Sequence, residues 1–150
     1  WAALSGISFA MGSITQKTST GTQATTGLGF KPTALMLVSN NRVSSGSASN
    51  PMSMCLGITN NTKSYALWTG TTYTSGASVC SVVSSTANVW QHYTAGGASP
   101  TLVAAASLTS FDSDGFTLNY GTADTTARQI LYFAWGPASG KSTGNFFAVM

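Results

Sequence analysis

The chain has 150 residues, of which 43% are hydrophobic and only 6% are charged, and its formal net charge is +3. This length suits a single domain, residues 1–150, and the apolar content excludes a disordered chain. Glu is absent while Ser, Thr and Gly abound, so the composition disfavours helices and favours strands. We therefore predict an all-β domain.

The basic residues do not form a cluster. They stand singly at Lys17, Lys31, Arg42, Lys63, Arg128 and Lys141. A groove that tracks nucleic-acid phosphates needs clustered Lys and Arg, so the pI of about 9.1 reflects the scarcity of acids and not a nucleic-acid partner. A surface with so few charges has weak electrostatic protection against association. This favours a protein that packs against copies of itself or against neighbours.

The chain contains no apolar run long enough for a transmembrane helix. Its N-terminus also lacks a basic segment followed by an apolar stretch. We therefore predict neither a membrane span nor a signal peptide. The chain begins at Trp1 without a Met, so we expect that it is processed or belongs to a longer chain.

The first part of the chain alternates between strand-like and polar segments. Ile7, Phe9 and Met11 recur at every second position between small residues, which predicts a strand with one face in and one face out. Residues 18–29 are polar and Gly-bearing, and they predict a loop or an edge segment. The short apolar run Ala34–Val38 predicts a strand buried on both faces.

The next segments predict a loop and then a hairpin. Residues 40–51 are rich in Ser, Gly and Asn, which is typical of a loop. Two strand-like runs follow, at 52–59 and 63–69, and Asn60-Asn61 turns the chain between them. On the first run, one side carries four large apolar residues, namely Met52, Met54, Leu56 and Ile58.

The rest of the chain is also predicted to form short strands separated by turns and loops. Residues 70–76 predict a Thr-rich turn, and residues 136–144 predict a loop. Strands are predicted at Val79–Val83, Val89–Tyr93, Leu102–Leu108, Phe116–Tyr120, Gln129–Trp135 and Phe146–Val149. The fifth of these is apolar on both faces, which indicates a central strand. Short strands separated by turns predict an antiparallel β-sandwich of jelly-roll-like type.

Two segments resemble ligand-binding loops but lack required residues. Gly140-Lys141-Ser142-Thr143 ends like a phosphate-binding loop, yet Trp135 stands where the first Gly is required. Asp112-Ser113-Asp114-Gly115 opens like a calcium loop but lacks the later ligands. We interpret it as a tight turn between Phe111 and Phe116, in which Asp side chains bond nearby backbone amides and Gly115 takes the left-handed conformation. The sequence therefore predicts no cofactor and no metal site.

His92 is the only histidine of the chain. A catalytic triad would place His92 beside a serine and an acid such as Asp124, but the sequence has no Gly-x-Ser-x-Gly nucleophile elbow. Three acidic residues also leave little scope for paired carboxylates. We therefore predict a structural His92, no catalytic residue and no enzymatic activity.

Four aromatic residues allow two interpretations: Trp68, Tyr73, Trp90 and Tyr93. Exposed rings beside Asn, Gln and Ser are typical of sugar-binding surfaces, whereas aromatics within strands are favoured for packing. The core interpretation is preferred, and a glycan site stays open as the alternative. Asn60-Asn61-Thr62 matches a glycosylation acceptor, which matters only in a secreted eukaryotic protein.

Cys55 and Cys80 are too few to form a disulfide framework in a chain of this size. Each lies in a strand-like run, so we predict two buried free thiols. A single cross-strand disulfide is the alternative.

Three blocks occur in a fixed order between about residues 18 and 136. They are Thr18–Gln23 followed by Thr26–Leu35 with its Gly29-Phe30-Lys31-Pro32, then Ser110–Leu118, then Tyr132-Phe133-Ala134-Trp135. This ordered set resembles a family of β-rich virion proteins from tailed bacteriophages. Residues 42–100 match no part of that pattern.

The resemblance implies a virion component, such as a capsid-decorating, tail or fibre protein built as a β-sandwich. It implies function by assembly with itself and with other virion proteins, as a homo-oligomer for which a trimer is one candidate state. No catalytic residue carries over, and the structural positions would be Gly29, Pro32, Gly115 and Phe116. The alternative is a receptor-binding adhesin at a fibre tip, with a host glycan as its partner.

Overall fold

The computed structural model describes residues 6–40, 43, 52–74, 77–94 and 99–138, with the backbone alone for 72–74, 77 and 78. Within these ranges the chain forms ten strands and no helix. The strands are β1 (Ile7–Thr15), β2 (Gly21–Thr26), β3 (Ala34–Ser39), β4 (Ser53–Thr59), β5 (Ser64–Thr74), β6 (Ala77–Ser85), β7 (Trp90–Tyr93), β8 (Leu102–Asp112), β9 (Gly115–Thr122) and β10 (Gln129–Pro137).

The strands form two sheets that pack together. The larger sheet has six strands in the order β1-β10-β3-β4-β5-β6, and the smaller has four in the order β2-β9-β8-β7. Every pairing is antiparallel. The chain crosses between the sheets after β1, β2, β6 and β9. The predicted antiparallel β-sandwich is therefore confirmed.

The core lies between the sheets and contains two fully buried tryptophans. Trp68 Nε1 donates a hydrogen bond to Ser53 Oγ at 3.2 Å, and Trp90 Nε1 donates to Ser39 Oγ at 2.8 Å. Both large rings are therefore buried without leaving an indole N–H unpaired. The other large apolar side chains buried in the described part of the chain are Phe30, Leu35, Leu37, Val89, Phe111, Phe116, Leu118, Tyr120 and Ile130.

Two of the blocks that carry the phage resemblance lie side by side, because β2 pairs with β9. The Asp114 carboxylate accepts hydrogen bonds from the backbone N–H of Gly27, at 3.0 Å, and from that of Gly29. The two glycines have φ values of +88° and +77°, which glycine adopts without strain. The predicted tight turn at Ser113-Asp114 is confirmed, but Gly115 has no positive φ, so the left-handed conformation predicted for it is wrong. Asp114, however, bonds amides 87 and 85 positions away, so the prediction that it bonds nearby amides is wrong.

Two strand predictions need correction. Residues 70–74 were predicted as a turn but continue β5, because they pair with β6. The run Ala34–Val38 was predicted to be buried on both faces. Leu35 and Leu37 are fully buried, whereas Met36 and Val38 are only half-buried on the opposite face of the sheet.

The predicted hairpin at Asn60-Asn61 is confirmed, with Asn61 in the left-handed region at φ 70°. Residues 18–29 contain the edge strand β2, as expected. The predicted strand 146–149, the segment 140–143 and most of the predicted loop 40–51 lie outside the described residues.

Candidate assembly surface

The face of the six-stranded sheet that points away from the core carries large apolar side chains on all six strands. We call it the outer apolar face. Its members are Ile7, Phe9, Met11, Leu131, Phe133, Trp135, Met36, Val38, Met54, Leu56, Ile58, Tyr65, Leu67 and Val82.

The register of the strands makes this face continuous. Met11 stands opposite Phe133, and Phe133 in turn stands opposite Met36 on the next strand. On the neighbouring strands, Leu56 stands opposite Leu67. Cross-strand neighbours of this kind are close enough for their side chains to touch. The apolar residues therefore form one patch and not isolated points.

The patch is exposed in the single chain. Ten of its members have between 40% and 66% of their surface exposed to solvent. Single exposed hydrophobic residues are ordinary on proteins, but a contiguous patch across six strands exceeds what monomeric soluble proteins commonly show. Such a patch is typical of a surface that another macromolecule covers.

No Asp, Glu, Lys or Arg points outward from the described positions of the six strands. The remaining outward residues are uncharged, and most are small or hydroxyl-bearing, such as Ser13, Thr69 and Ser84. Depletion of charge at the centre of a patch is the compositional mark of protein–protein interfaces. The outer apolar face has this composition.

The opposite, inner face of the same sheet needs small residues. A Cβ at Gly57 would lie 1.6 Å from the backbone oxygen of Val89, and a Cβ at Gly12 would lie 2.6 Å from the hydroxyl of Tyr132. The backbone before β7 therefore approaches β4 too closely for any side chain at position 57. As a result, β4 directs its bulky apolar residues outward and its small residues into the sandwich. β1 does the same from Ile7 to Gly12, whereas its Ile14 packs against the core.

The outer face of the four-stranded sheet is different. Its outward positions on β2 and β9 are Thr22, Ala24, Thr26, Thr117 and Asn119. These small polar or neutral residues are compatible with water. On β2 and β9 the smaller sheet thus lacks the large outward apolar side chains of the outer apolar face, and we place the candidate surface on the larger sheet.

Two shallow depressions lie along the outer apolar face. One, of about 410 Å³, is lined by Ile58, Tyr65 and Lys63 among others, and the second, of about 420 Å³, lies between Met54 and Leu131. A side chain from a partner could fill either one. A third depression of about 410 Å³ lies at one end of the sandwich, where polar residues such as Lys31, Asn60, Asn61 and Ser110 line it.

The aromatic residues proposed for a glycan site lie mainly in the core. Trp68 and Trp90 have no exposed surface, which confirms the core interpretation for both. Tyr93 is half-buried with its ring centroid 5.3 Å from that of Trp68. The side chain of Tyr73 lies outside the described part of the chain. Of the three described rings, only that of Tyr93 is partly exposed.

His92 lies against the edge of Trp68, with ring centroids 6.4 Å apart. Burial, aided by the charge of Arg128, lowers the pKa of His92 to about 4, so the ring is neutral near pH 7. The carboxylate of Asp124, the candidate partner in a triad, is instead held by Arg128 at 2.7 and 2.9 Å. Gln16 Nε2 donates to the same carboxylate at 2.9 Å.

The cluster of Gln16, Asp124 and Arg128 escaped the sequence analysis. Gln16 is 108 and 112 positions from its two partners, so no local pattern could reveal the contact. Gln16 and Arg128 are both buried. Desolvation alone would raise the pKa of Asp124, but the hydrogen bonds from Arg128 and Gln16 outweigh it and lower the pKa to about 2. The cluster links Gln16, which directly follows β1, to the segment that precedes β10.

The two cysteines are free and lie on opposite faces of the six-stranded sheet. Cys55 is buried, and burial raises the pKa of its thiol to about 11. Cys80 is exposed, so the prediction of a buried thiol is wrong for Cys80. Because their side chains point away from each other, the alternative of a disulfide between them does not occur in the described structure.

The acidic turn uses its carboxylates for local and long-range hydrogen bonds. Asp112 accepts hydrogen bonds from the hydroxyls of Ser110, at 2.6 Å, and Thr117, at 2.7 Å, and these bonds lower the pKa of Asp112. The described residues contain no group of three or more His, Cys, Asp or Glu side chains placed to hold a metal ion.

No known family model matches the sequence, and no curated protein or solved structure is significantly similar to the chain. In the part of the chain that the structure describes, no helix has the length and apolar character needed to cross a membrane.

Proposed function

We propose that this protein is a structural component of a tailed-bacteriophage virion, of capsid-decoration, tail or fibre type, and that it functions by assembly. The proposal assigns no catalytic residue and no cofactor. Its partners are other virion proteins and further copies of the same chain. The observation that carries the assembly part is the outer apolar face, which a single chain leaves open to water across six strands.

The virion part of the proposal rests on the ordered sequence blocks that resemble phage proteins. Residues with a structural role in that resemblance have structural roles here. Gly29 has a positive φ, Gly115 would place a Cβ 1.8 Å from the backbone oxygen of Thr25, and Phe116 is fully buried. These blocks therefore build the sandwich, while the apolar face that supports assembly draws mainly on other strands.

The alternative of a glycan-binding adhesin has less support from the geometry. It needs an exposed aromatic ring in a polar depression. Of the four rings considered for this role, Trp68 and Trp90 are buried, Tyr93 is half-buried, and the side chain of Tyr73 lies outside the described part of the chain. The polar depression beside Lys31 has only the buried Phe111 as its aromatic residue. Tyr65 is 51% exposed, but it belongs to the apolar face.

Incorporation of variant chains into particles tests the proposal. Leu56→Glu places a charge in the middle of the outer apolar face, and Thr22→Glu places the same charge on the polar face of the smaller sheet. We expect both chains to fold, and we expect Leu56→Glu alone to be missing from purified particles. Normal incorporation of Leu56→Glu would contradict the assembly proposal.

Truncation of Trp68, Trp90 or Tyr93 to Ala separates assembly from host attachment. We expect each change to impair folding or incorporation, because the rings pack in or against the core. Particles of normal composition that no longer attach to cells would instead favour the adhesin.

A further inference from the structure

The outer apolar face is too large and too uncharged to be left in water, which raises the question of what covers it. Three candidates are a chain of complementary charge, several neighbours that share the face, and a second copy of this chain. The chemistry of the face and its dimensions distinguish between them.

The absence of charge argues against a partner selected by charge. The described outward positions carry no ionised side chain that could attract or orient an oppositely charged surface. The same absence removes the usual obstacle to self-association, because the described strand positions of two copies placed face to face bring no like charges together. Lys63 lies beyond the strands, in the turn before β5. Methionine occurs on three of its strands, at Met11, Met36 and Met54, and its flexible side chain adapts to an identical surface.

The size of the face matches one partner of equal size. Six strands spaced by about 4.8 Å give a width of roughly 29 Å. The outward apolar rows extend over about six residues, or roughly 20 Å along the strands. Each copy therefore contributes a footprint of roughly 600 Å², and a face-to-face pair buries roughly 1,200 Å² in total, which is the lower end of the range for stable interfaces.

Division of the face between two neighbours would give weaker contacts. In a cyclic trimer built on this face, each copy would present about half of the patch to each neighbour. Each contact would then bury roughly 600 Å² in total, which is below the size of most specific interfaces. A pair related by a two-fold axis covers the whole patch in one contact, and such isologous dimers are the commonest homo-oligomers.

We propose, on the basis of the assembly function above, that the outer apolar face packs against the same face of a second copy of this chain. The resulting dimer is a stack of sheets in which two six-stranded sheets lie in the middle, about 10 Å apart. The polar faces of the two four-stranded sheets then form the outside of the dimer. The dimer would be the unit that the virion incorporates.

Sedimentation velocity of the full chain over a range of concentrations tests this inference. We expect a species of twice the 15.4 kDa chain mass, nearly insensitive to salt because the interface contains few Coulomb terms to screen. Leu56→Glu and Leu67→Glu each bury an unpaired charge, and we expect each to weaken dimerisation by roughly 100-fold or more. The control Thr22→Glu should dimerise like the parent chain.

Circular dichroism and thermal melting verify that each variant is folded. Two variants are used because either one could lose its fold. A monomeric parent chain, a trimer, or folded Leu56→Glu and Leu67→Glu variants that still dimerise would each overturn the inference.

The inference and the assembly function can fail separately. A parent chain that is monomeric in solution, together with loss of Leu56→Glu from particles, would overturn the dimer and leave the virion role intact. A dimer that Leu56→Glu disrupts, together with normal incorporation of that variant, would support the dimer and overturn the assembly role.

Discussion

On β4, the two faces of the six-stranded sheet invert the usual rule for a sandwich. On β4, the inward residues are Ser53, Cys55, Gly57 and Thr59, while the outward residues are Met54, Leu56 and Ile58. In an ordinary half-exposed sheet the apolar set would face the core and the polar set would face water. Here the strand directs its larger apolar residues away from its own core.

This inversion has different causes on the two faces. On the inner face, the close approach of Val89 to Gly57 leaves no room for a side chain. The neighbouring Trp68 supplies the bulk that the small residues of β4 do not, and it is fully buried. On the outer face nothing within the described chain requires Leu56 or Ile58 to be apolar. We therefore attribute the inner pattern to folding and the outer pattern to association.

The largest expected difference between the two faces of the six-stranded sheet is in the free energy of unfolding that is lost when an aromatic ring is removed. Trp68→Ala removes a fully buried ring and its hydrogen bond to Ser53, and should lower the free energy of unfolding by about 3–5 kcal/mol. Phe9→Ala on the outer face, where Phe9 is 57% exposed, should cost less than about 1 kcal/mol in dilute protein. Urea unfolding monitored by fluorescence and circular dichroism measures both values. Equal costs would show that the outer face is already part of the folded core.

The next largest difference in unfolding free energy is expected between two adjacent positions on β4, Gly57 on the inner face and Leu56 on the outer face. Gly57→Ala forces a Cβ into the backbone of Val89, so we expect a loss of about 3 kcal/mol in unfolding free energy. Leu56→Ala should change the unfolding free energy of the dilute chain by less than about 1 kcal/mol and should weaken its association instead. Denaturation and sedimentation of the two variants provide the measurements. A Gly57→Ala variant that folds well but associates poorly would contradict the assignment of the inner face to folding and the outer face to association.

Asp124 tests whether stability can be lowered without any effect on the outer face. Asp124→Asn removes the charge that Arg128 neutralises, and should cost about 2 kcal/mol while leaving association of the folded chain unchanged. Because folding lowers the pKa of Asp124 from 3.8 to about 2, its contribution is present above pH 3.8 and is lost as the pH falls through 2.

Acid denaturation of the parent chain and of Asp124→Asn checks this window. We expect the parent to lose stability between about pH 4 and pH 2, and the variant to have a flatter profile there. Identical profiles would mean that the ion pair does not stabilise the folded chain.

Asp114→Ala should lower the unfolding free energy by about 1 kcal/mol, less than the losses expected at Trp68, Gly57 and Asp124. The change removes the hydrogen bonds to the amides of Gly27 and Gly29, which lie at an exposed end of the sandwich. Thermal melting should show no dependence on calcium or chelator and no change in association. A melting temperature that falls when chelator is added would indicate a metal at this turn.

Local patterns were sufficient to predict most of the strands. The alternation at Ile7, Phe9 and Met11 predicted a strand, and Asn60-Asn61 predicted a hairpin. These features depend on residues within a few positions of one another. The turn at Asp112–Gly115 was likewise predictable from its Asp and Gly residues.

Contacts between distant segments could not be predicted in this way. The direction of the apolar rows on β1 and β4 depends on Tyr132 and Val89, which are remote in sequence from Gly12 and Gly57. One signal was present in the sequence. On both strands a glycine, Gly12 or Gly57, stands among the small residues that alternate with the bulky ones, and a glycine in a strand often marks close approach of another backbone. The link between Gln16 and Asp124 left no comparable pattern.

The central claim is that another protein chain covers the outer apolar face in the assembled state. Thiol labelling in a Cys80→Ser background tests it most directly, since Cys55 is buried and its raised pKa makes it slow to react. A cysteine replaces either Leu56 on the apolar face or Thr22 on the polar face. Labelling is compared between purified particles and the dilute chain.

We predict that the thiol of Leu56→Cys reacts readily in the dilute chain and at least roughly tenfold more slowly in the particle, as expected for a covered site. The thiol of Thr22→Cys should lose less of its reactivity on assembly. Equal labelling of Leu56→Cys in both states, or protection confined to Thr22→Cys, would contradict the claim that the outer apolar face is the assembly surface.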